Sequence, residues 1–381
     1  MESNYFDFSA TTPVDPRVLD AMIPYFSQEF GNTSSIHWYG QKAEAGLESA
    51  RESLAEILNC RTDEIIFTSC GSESDNLALR GAAIAARRIR RANHILISPV
   101  EHPAVSRTAR QLADVFGFEL EFLPVDSCGM VNPQDIASRI RSDTALVSII
   151  YANNEIGTIN AIHEIGMICR SVNIPFHTDA VQAAAHLSVD VEKLNVDLLS
   201  IGAHKFYGPK GVGLLYVRKG TPLLPTQTGG SQEFDMRAGT HNTPLIVGMA
   251  EALRLVQAEL LQNTAHILPL RNQLIGSILE EIPQSQLTGH PLQRLPNHAS
   301  FVFKNVDGNQ LIIKLDTLGF ACSSGSACKT GNPEPSEVLI SLGLPKEWAL
   351  GSLRVTLGKT TTSVQVSRFI QAIPMAIDHL R

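Results

Sequence analysis

Apolar positions alternate between helical and extended spacing over most of the first two thirds of the chain. Residues 41–59 carry apolar side chains at helical spacing, and the apolar run 65–67 that follows is typical of a short buried strand. The same rhythm predicts further helices after residue 72, from about residues 103 and 133, and over 162–171. It predicts further strands over 94–98, 119–123, 145–151, 175–178, 196–201 and 212–217.

Such alternation predicts a mostly parallel sheet covered by helices, in which a ligand binds beyond the carboxyl ends of the strands. After about residue 244 the pattern changes to two long helical stretches, with a weak break near residues 263–264, and then to short strands and helices. We therefore predict an α/β protein with a large domain over residues 15–250. A smaller α+β domain would comprise residues 1–14 and 251–381.

Composition narrows the class of protein. The 381 residues are 44% hydrophobic and 18% charged, which is ordinary for a globular protein. A net charge of -7 without a basic stripe argues against a nucleic-acid partner. The first residues do not resemble a signal peptide, and no apolar run is long enough to span a membrane, so a cytoplasmic location without membrane insertion is expected.

Polar clusters follow several of the predicted strands. Gly71 and Ser72 come after one strand and open a helix, where backbone N–H groups and a hydroxyl can hold an anion. Asp179 follows another, where a carboxylate can pair with a buried positive charge. For each cluster taken alone, an ordinary helix N-cap is the simpler interpretation.

Two further clusters carry basic groups. His102 stands at a strand exit, where it can move protons or lie on an aromatic cofactor, although a capping histidine is the simpler interpretation. Lys205 follows a strand in a half-buried position that favours a depressed pKa and a free amine able to form a Schiff base. Lys210 lies between glycines and proline in an expected exposed turn, so Lys205 is the better candidate.

Together the clusters supply an anion cradle, an acid, an imidazole and an amine. These are the groups that pyridoxal 5'-phosphate needs for its phosphate, its ring nitrogen, its ring face and its aldehyde. A dinucleotide site is not expected, because no Gly-x-Gly-x-x-Gly opens the first helix. A Walker A loop is excluded as well, because Leu353 stands where the first glycine before Gly358-Lys359-Thr360 is required.

Seven short stretches, in order, resemble the cysteine desulfurases of the NifS and IscS type, within the class V aminotransferase group. They are residues 7–13 (DFSATTP), 73–76 (ESDN), 101–102 (EH), 153–157 (NNEIG), 204–205 (HK), 237–240 (RAGT) and 323–328 (SSGSAC). The resemblance covers nearly the whole chain and implies the aspartate-aminotransferase-like architecture known as fold type I. It also implies a homodimer.

The resemblance assigns roles to individual residues. Lys205 would carry pyridoxal phosphate as a Schiff base, Asp179 would pair with the ring nitrogen, and His102 would stack on the ring and handle protons. Gln182 and Asn154 would contact the ring hydroxyl and the substrate side, and Arg354 would hold the substrate carboxylate with its bidentate guanidinium. The implied phosphate ligands are Gly71, Ser72, His204 and, across the dimer interface, Thr240. No metal site is expected.

Cys328 decides the implied reaction. It lies in a stretch of small residues expected to form a mobile loop, from which a thiolate can reach the site. By resemblance it attacks the sulfur of L-cysteine, leaving L-alanine and a persulfide that passes to an acceptor such as an iron-sulfur scaffold. An incidental loop thiol, or a disulfide or metal pair with Cys322, are the alternatives, and the role of Cys322 stays open.

Two features depart from the family pattern. Gly202 stands where a serine is common, so one phosphate-binding hydroxyl is missing and cofactor affinity is either reduced or supported by a backbone N–H instead. The chain ends shortly after its last predicted helix, which puts delivery to one particular scaffold in doubt. The rival functions are another pyridoxal-phosphate enzyme of the same fold (a C–S lyase, a kynureninase-like hydrolase or an aminotransferase) and a non-catalytic sulfur-relay or assembly protein.

Overall fold

The computed structural model describes residues 4–325 and 334–380. Its helices are α1 (Pro16–Met22), α2 (Pro24–Ser27), α3 (Trp38–Leu58), α4 (Gly71–Arg90), α5 (Pro103–Phe116), α6 (Pro133–Arg139), α7 (Ile162–Ser171), α8 (Val191–Leu194), α9 (Thr243–Ala258), α10 (Leu260–Glu281), α11 (Gly308–Thr317), α12 (Glu337–Ser341), α13 (Lys346–Ala349) and α14 (Ser363–Asp378). Its strands are β1 (Asn4–Tyr5), β2 (Ile65–Thr68), β3 (His94–Ile97), β4 (Glu119–Phe122), β5 (Thr144–Ser148), β6 (Phe176–Asp179), β7 (Leu198–Gly202), β8 (Gly213–Val217), β9 (Ser285–Leu287), β10 (His298–Phe303), β11 (Phe320–Ala321) and β12 (Ser352–Thr356).

Seven strands form the main sheet in the order β2-β8-β7-β6-β5-β3-β4. Strand β8 pairs antiparallel with both of its neighbours, and the remaining pairs are parallel. The carboxyl ends of β2, β3, β5, β6 and β7 therefore lie along one edge, and the chain segments that leave them meet there. Buried strands of this kind need helices on both faces, which agrees with the predicted mostly parallel, helix-covered sheet.

The remaining strands form two smaller sheets. Strands β12, β10 and β9 are antiparallel, and β1 pairs in parallel with β11, which joins the first described residues to the last third of the chain. Phe6 packs there in one buried cluster with side chains of α10, α11 and α14. An α+β part beside the main sheet was predicted and is present, whereas the exact division at residues 14 and 250 stays a prediction.

Local signals explain where several elements begin and end. Helix α5 starts at a proline, with His102 as its N-cap, and ends before Gly117, whose positive φ of 69° suits glycine. The predicted break at residues 263–264 is wrong. The helix is interrupted at Glu259 instead, and the Asn263 N–H donates to the Glu259 carbonyl, so the second helix runs through the predicted break.

Candidate active site

One cavity of about 240 Å³ opens at the carboxyl edge of the main sheet. It is lined by nine residues predicted from sequence: Gly71, Ser72, His102, Asn154, Asp179, Gln182, His204, Lys205 and Arg354. Thr240 does not line it, because this residue is exposed on the segment that precedes α9. Cys328 lies outside the described residues.

Lys205 lies in a short 3-10 turn directly after β7, and its side chain is largely enclosed. Its Nζ donates hydrogen bonds to the carbonyl oxygens of Ser9 and Ala10, at 2.6 and 2.7 Å. Burial, followed by the positive charge of Arg354, lowers the pKa of Lys205 to about 8. About one tenth of the amine is therefore neutral at pH 7, far more than for an ordinary lysine, and Schiff-base chemistry requires the neutral form. Lys210 is exposed, as predicted.

Asp179 ends β6 and is 4% exposed. Its Oδ1 accepts a hydrogen bond from the Val181 N–H at 2.9 Å. Burial raises the pKa of Asp179, and the nearby His102 and Lys205 act in the opposite direction. The side chain is therefore placed to pair with a cation inside the cavity, and the helix N-cap alternative does not describe it, since no α-helix begins there.

His102 both caps a helix and faces the cavity, which are the two roles considered from its sequence position. Its Nδ1 accepts a hydrogen bond from the Ala104 N–H at 3.1 Å, which caps α5, while the ring lines the cavity. Burial lowers the pKa of His102, with a further lowering by Lys205 and an opposing effect of Asp179. Because Nδ1 accepts from the backbone, a neutral His102 carries its proton on Nε2.

The end of the cavity near α4 is built from main-chain groups. Gly71 is the first residue of α4, and a Cβ atom there would stand 2.5 Å from Val181 Cγ2, so only glycine fits. Gly202 approaches the same backbone, because a Cβ on it would lie 3.2 Å from Gly71 N. Ser72 follows on α4, and His204 Nδ1 lies 3.2 Å from Thr11 Oγ1. This end suits an anion, since the first N–H groups of a 20-residue helix have no partner inside the helix.

Arg354 lies in the middle of β12 and reaches the opposite side of the cavity. Its Nη1 donates to the Asn154 carbonyl at 2.9 Å, and its Nη2 donates to Asp7 Oδ1 at 2.8 Å. Its Nε is buried and has no hydrogen-bond partner among the described residues. Because the positively charged guanidinium lines the cavity and has a single carboxylate partner, Asp7, in the part of the chain that the structure describes, this side of the cavity suits an anionic ligand.

Sequence reasoning missed several groups of the site. Asp7, which pairs with Arg354, and the carbonyl of Ser9, which accepts from both Lys205 and Gln182, belong to one of the motifs but carried no individual role. Asp75 also lines the cavity, from α4. Their position inside the family motifs was the sequence signal that could have marked them as site residues. Their partners lie far away in the chain, so the sequence did not indicate which groups they contact.

The arrangement fits pyridoxal phosphate. An enclosed amine of lowered pKa, a buried carboxyl and a glycine-lined helix start surround a single cavity, and they match the aldehyde, the ring nitrogen and the phosphate of that group.

The model of the family described as "Aminotransferase class-V" matches residues 4–369. The chain belongs to this family. Its membership confirms the predicted pyridoxal-phosphate enzyme and cofactor.

Individual members of the family resemble the chain over nearly its full length. It is 46% identical over 377 residues to "Cysteine desulfurase IscS" from Methanosarcina thermophila, covering 99% of this chain and 92% of the relative. It is 45% identical to the protein of the same name from Dictyoglomus turgidum, and the match covers 99% of this chain and 95% of that relative. A solved structure of a "NIFS-LIKE PROTEIN" superposes with a TM-score of 0.92 at 37% identity, covering 99% of this chain and all of the other. The predicted resemblance and fold type I architecture are thereby confirmed.

Proposed function

We propose that the protein is a cysteine desulfurase, which converts L-cysteine to L-alanine and transfers the sulfur to Cys328 as a persulfide. The observation that carries the proposal is the convergence of Lys205, Asp179, His102 and Arg354 on one cavity. Similarity to cysteine desulfurases over 99% of the chain points to the same reaction.

We assign the cofactor-binding roles as follows. Lys205 would bond to the aldehyde carbon, Asp179 would hold the protonated ring nitrogen, and Gln182 and Asn154 would face the ring hydroxyl and the substrate. Gly71, Ser72 and His204 would hold the phosphate. The close approach of Gly202 to Gly71 N supports the interpretation that a backbone N–H serves where a serine hydroxyl is missing.

When bound, pyridoxal phosphate withdraws electrons from the substrate Cα and so makes its proton acidic. In this chain the Lys205 amine, whose pKa is lowered to about 8, would be the base that takes the Cα proton. His102, which carries its proton on Nε2 when neutral, is placed to move protons within the same cavity. Arg354, whose side chain lines the cavity, would hold the substrate carboxylate through its guanidinium group.

The sulfur transfer itself is assigned to Cys328. Its thiolate attacks the substrate sulfur, so that an S–S bond forms and the C–S bond of the substrate breaks. The electron pair of the C–S bond stays with the carbon, which is protonated to the methyl group of alanine. Cys328 leaves as a persulfide, and an acceptor such as an iron-sulfur scaffold or another thiol carrier then takes the sulfur.

The proposed assembly is a homodimer. Thr240 is exposed and lies away from the cavity of its own chain, which supports its predicted role as a phosphate ligand for the second copy. Ile36, Trp38 and Tyr39 are 93%, 60% and 48% exposed, and together they form an apolar surface at the start of α3 that a second copy can cover.

The proposed location is the cytoplasm. The five cysteines in the described part of the chain are free thiols, as a reducing compartment favours. Among the described residues, no helix has the length and apolar character needed to cross a membrane.

The test measures alanine and sulfide formed from L-cysteine with a thiol reductant by the purified protein loaded with cofactor. We expect Cys328→Ala to lose activity by about 100-fold or more while it keeps the absorbance of the bound cofactor. Cys322→Ala is the matched control, because its buried thiol has a raised pKa and is a poor nucleophile. Normal cysteine turnover by Cys328→Ala would falsify the persulfide mechanism.

Lys205→Ala tests the cofactor assignment separately. We expect it to abolish the adduct that borohydride traps on the protein, whereas Lys210→Ala keeps it, since Lys210 is exposed. An adduct trapped at another lysine of Lys205→Ala would contradict the assignment. A protein with an intact adduct that neither releases alanine nor transfers sulfur would be a relay or assembly protein instead.

A further inference from the structure

Asp75 is a buried carboxyl group to which the proposed chemistry assigns no task. It lies in the second turn of α4, is 1% exposed and lines the same cavity as Asp179. Its Oδ1 has no hydrogen-bond partner among the described residues. Because an ionised carboxylate is costly in a protein interior unless it is paired, the charge state of Asp75 needs a physical explanation.

His177 is the nearest group that could neutralise an ionised Asp75. Its Nε2 lies 3.6 Å from Asp75 Oδ1, beyond hydrogen-bond distance. The ring nitrogens instead lie 2.8 and 2.9 Å from the hydroxyls of Ser148 and Ser200. Burial lowers the pKa of His177 to about 3, so its imidazole is neutral and gives Asp75 no positive charge.

The second neighbour is Asp179. Side-chain atoms of Asp75, His102 and Asp179 that could bind a cation all lie within 4.8 Å of one another. Two carboxylates this close in a buried site do not both ionise, and the better-stabilised one takes the charge. Asp179 accepts the Val181 N–H and faces Lys205, whereas Asp75 has the Ser200 hydroxyl near it but neither a backbone donor nor a cation.

The other groups around Asp75 also favour an ionised Asp179 beside a protonated Asp75. Burial, followed by the charge of Asp179, raises the pKa of Asp75 well above its ordinary value, and the opposing hydrogen bond of the Ser200 hydroxyl does not offset them. Glu101 is also buried, and burial raises its pKa to about 8, so it too is neutral at pH 7. The titratable groups facing Asp75 are thus two acids, a thiol and two neutral imidazoles: Asp179, Glu101, Cys70, His177 and His102.

We propose that Asp75 is a positioning residue that stays protonated beside Asp179, so that Asp179 alone carries the negative charge at the ring-nitrogen end of the cavity. The proposal rests on the proposed function, because it concerns the residue assigned there to the ring nitrogen. A neutral Asp75 fills the space behind Asp179 with a polar group that adds no second charge. The protonated ring nitrogen held by Asp179 would then lie in the electric field of one carboxylate rather than two.

The test compares the pH titration of the bound cofactor's absorbance in wild type, Asp75→Asn and Asp179→Asn, without substrate. Asparagine has the shape of a protonated aspartic acid, so we expect Asp75→Asn to keep the titration midpoint within about 0.3 pH unit of wild type. Asp179→Asn removes a full charge and should shift the midpoint by about one unit or more. An equally large shift in Asp75→Asn would overturn the proposal, because it would mean that Asp75 is ionised.

An infrared measurement on the wild-type holoenzyme keeps the test independent of how well the variants fold. A protonated carboxyl group has its own C=O band, and we expect Asp75 and Glu101 each to contribute one near pH 7. Asp75→Asn should remove one band, and Glu101→Gln should remove a different one. An unchanged set of carboxyl bands in Asp75→Asn would refute the proposal.

Neither measurement requires turnover of L-cysteine. If the protein bound its cofactor but formed no alanine, the proposed function would fail while both results on Asp75 would still stand. If alanine formed normally but Asp75→Asn shifted the midpoint by a full unit, only the inference about Asp75 would fail.

Discussion

At the scale of single residues, the site depends on how charges are distributed around one amine. Lys205 faces Arg354 across the cavity, and both Asp7 and Asp179 oppose the effect of that arginine on the amine. Arg354 is partly neutralised by Asp7, yet its side chain still lines the cavity. One guanidinium can therefore serve two purposes, which are to favour the neutral amine and to receive a carboxylate.

The pH dependence of cofactor uptake follows from this arrangement. The pKa of Lys205 is lowered to about 8, so the neutral, reactive amine prevails above that pH and is lost as the pH falls below it. We expect the rate at which cofactor-free protein reacts with added pyridoxal phosphate to rise with pH, with a midpoint near 8. Stopped-flow absorbance measures this rate.

Arg354→Gln is the matched variant for this prediction. It removes the positive charge and leaves Asp7 unopposed, and both changes raise the pKa of Lys205, so the midpoint should move to higher pH. A wild-type midpoint near the ordinary lysine value of 10.5 would show that burial does not depress the pKa of the amine.

At the scale of elements, sequence patterns predicted where strands and helices lie better than they predicted which distant residues come into contact. The helix over 162–171 has the predicted bounds, because its apolar positions repeat along one face. The 263–264 break was wrong because polar residues there lie within a continuous helix. Asp7 and Arg354 are 347 positions apart, and no local pattern reports that the segment after β1 lies beside β12, where Asp7 bridges to Thr356.

The start of α4 illustrates an element whose sequence is dictated by a neighbour. Gly71→Ala would place a Cβ 2.5 Å from Val181 Cγ2, which pushes α4 away from the segment after β6. We expect the free energy of unfolding to fall by about 1–3 kcal/mol, and cofactor binding to weaken because the helix start moves. Urea unfolding and an equilibrium titration with pyridoxal phosphate measure the two effects.

The double variant Gly71→Ala/Val181→Ala separates crowding from any other effect of alanine. Removing the Val181 methyl groups makes room for the new Cβ, so the double variant should recover part of the lost cofactor affinity. Val181→Ala alone is the control for the lost packing. If the double variant were no better than Gly71→Ala, crowding against Val181 would not be the reason for glycine at this position.

At the scale of the whole molecule, the sequence predicted the sheet and the position of the cavity because both follow from the order of strands along the chain. The ligand site lies beyond the carboxyl ends of β3, β5, β6 and β7, as general rules for open α/β sheets require. The proposed role of Thr240 does not follow from the order of strands. Its proposed target lies in a second copy, and local patterns carry no information about that geometry.

The proposed dimer gives the last prediction. Ile36 and Trp38 are 93% and 60% exposed at the start of α3, and an apolar surface of this kind is stabilised when a second copy covers it. Trp38→Asp places a charge in that interface, so we expect sedimentation velocity to show monomers at concentrations where wild type is dimeric. Thr240 would then no longer reach the second cavity, so cofactor affinity should fall in parallel. Thr240→Ala should remain dimeric and also lose cofactor affinity.

Val115→Asp, at a 68% exposed position on α5, is the matched control and should change neither the oligomeric state nor the cofactor affinity. A monomeric wild type, or a Trp38→Asp monomer that binds cofactor as tightly as the wild-type dimer, would contradict the assignment of Thr240 to the partner's site.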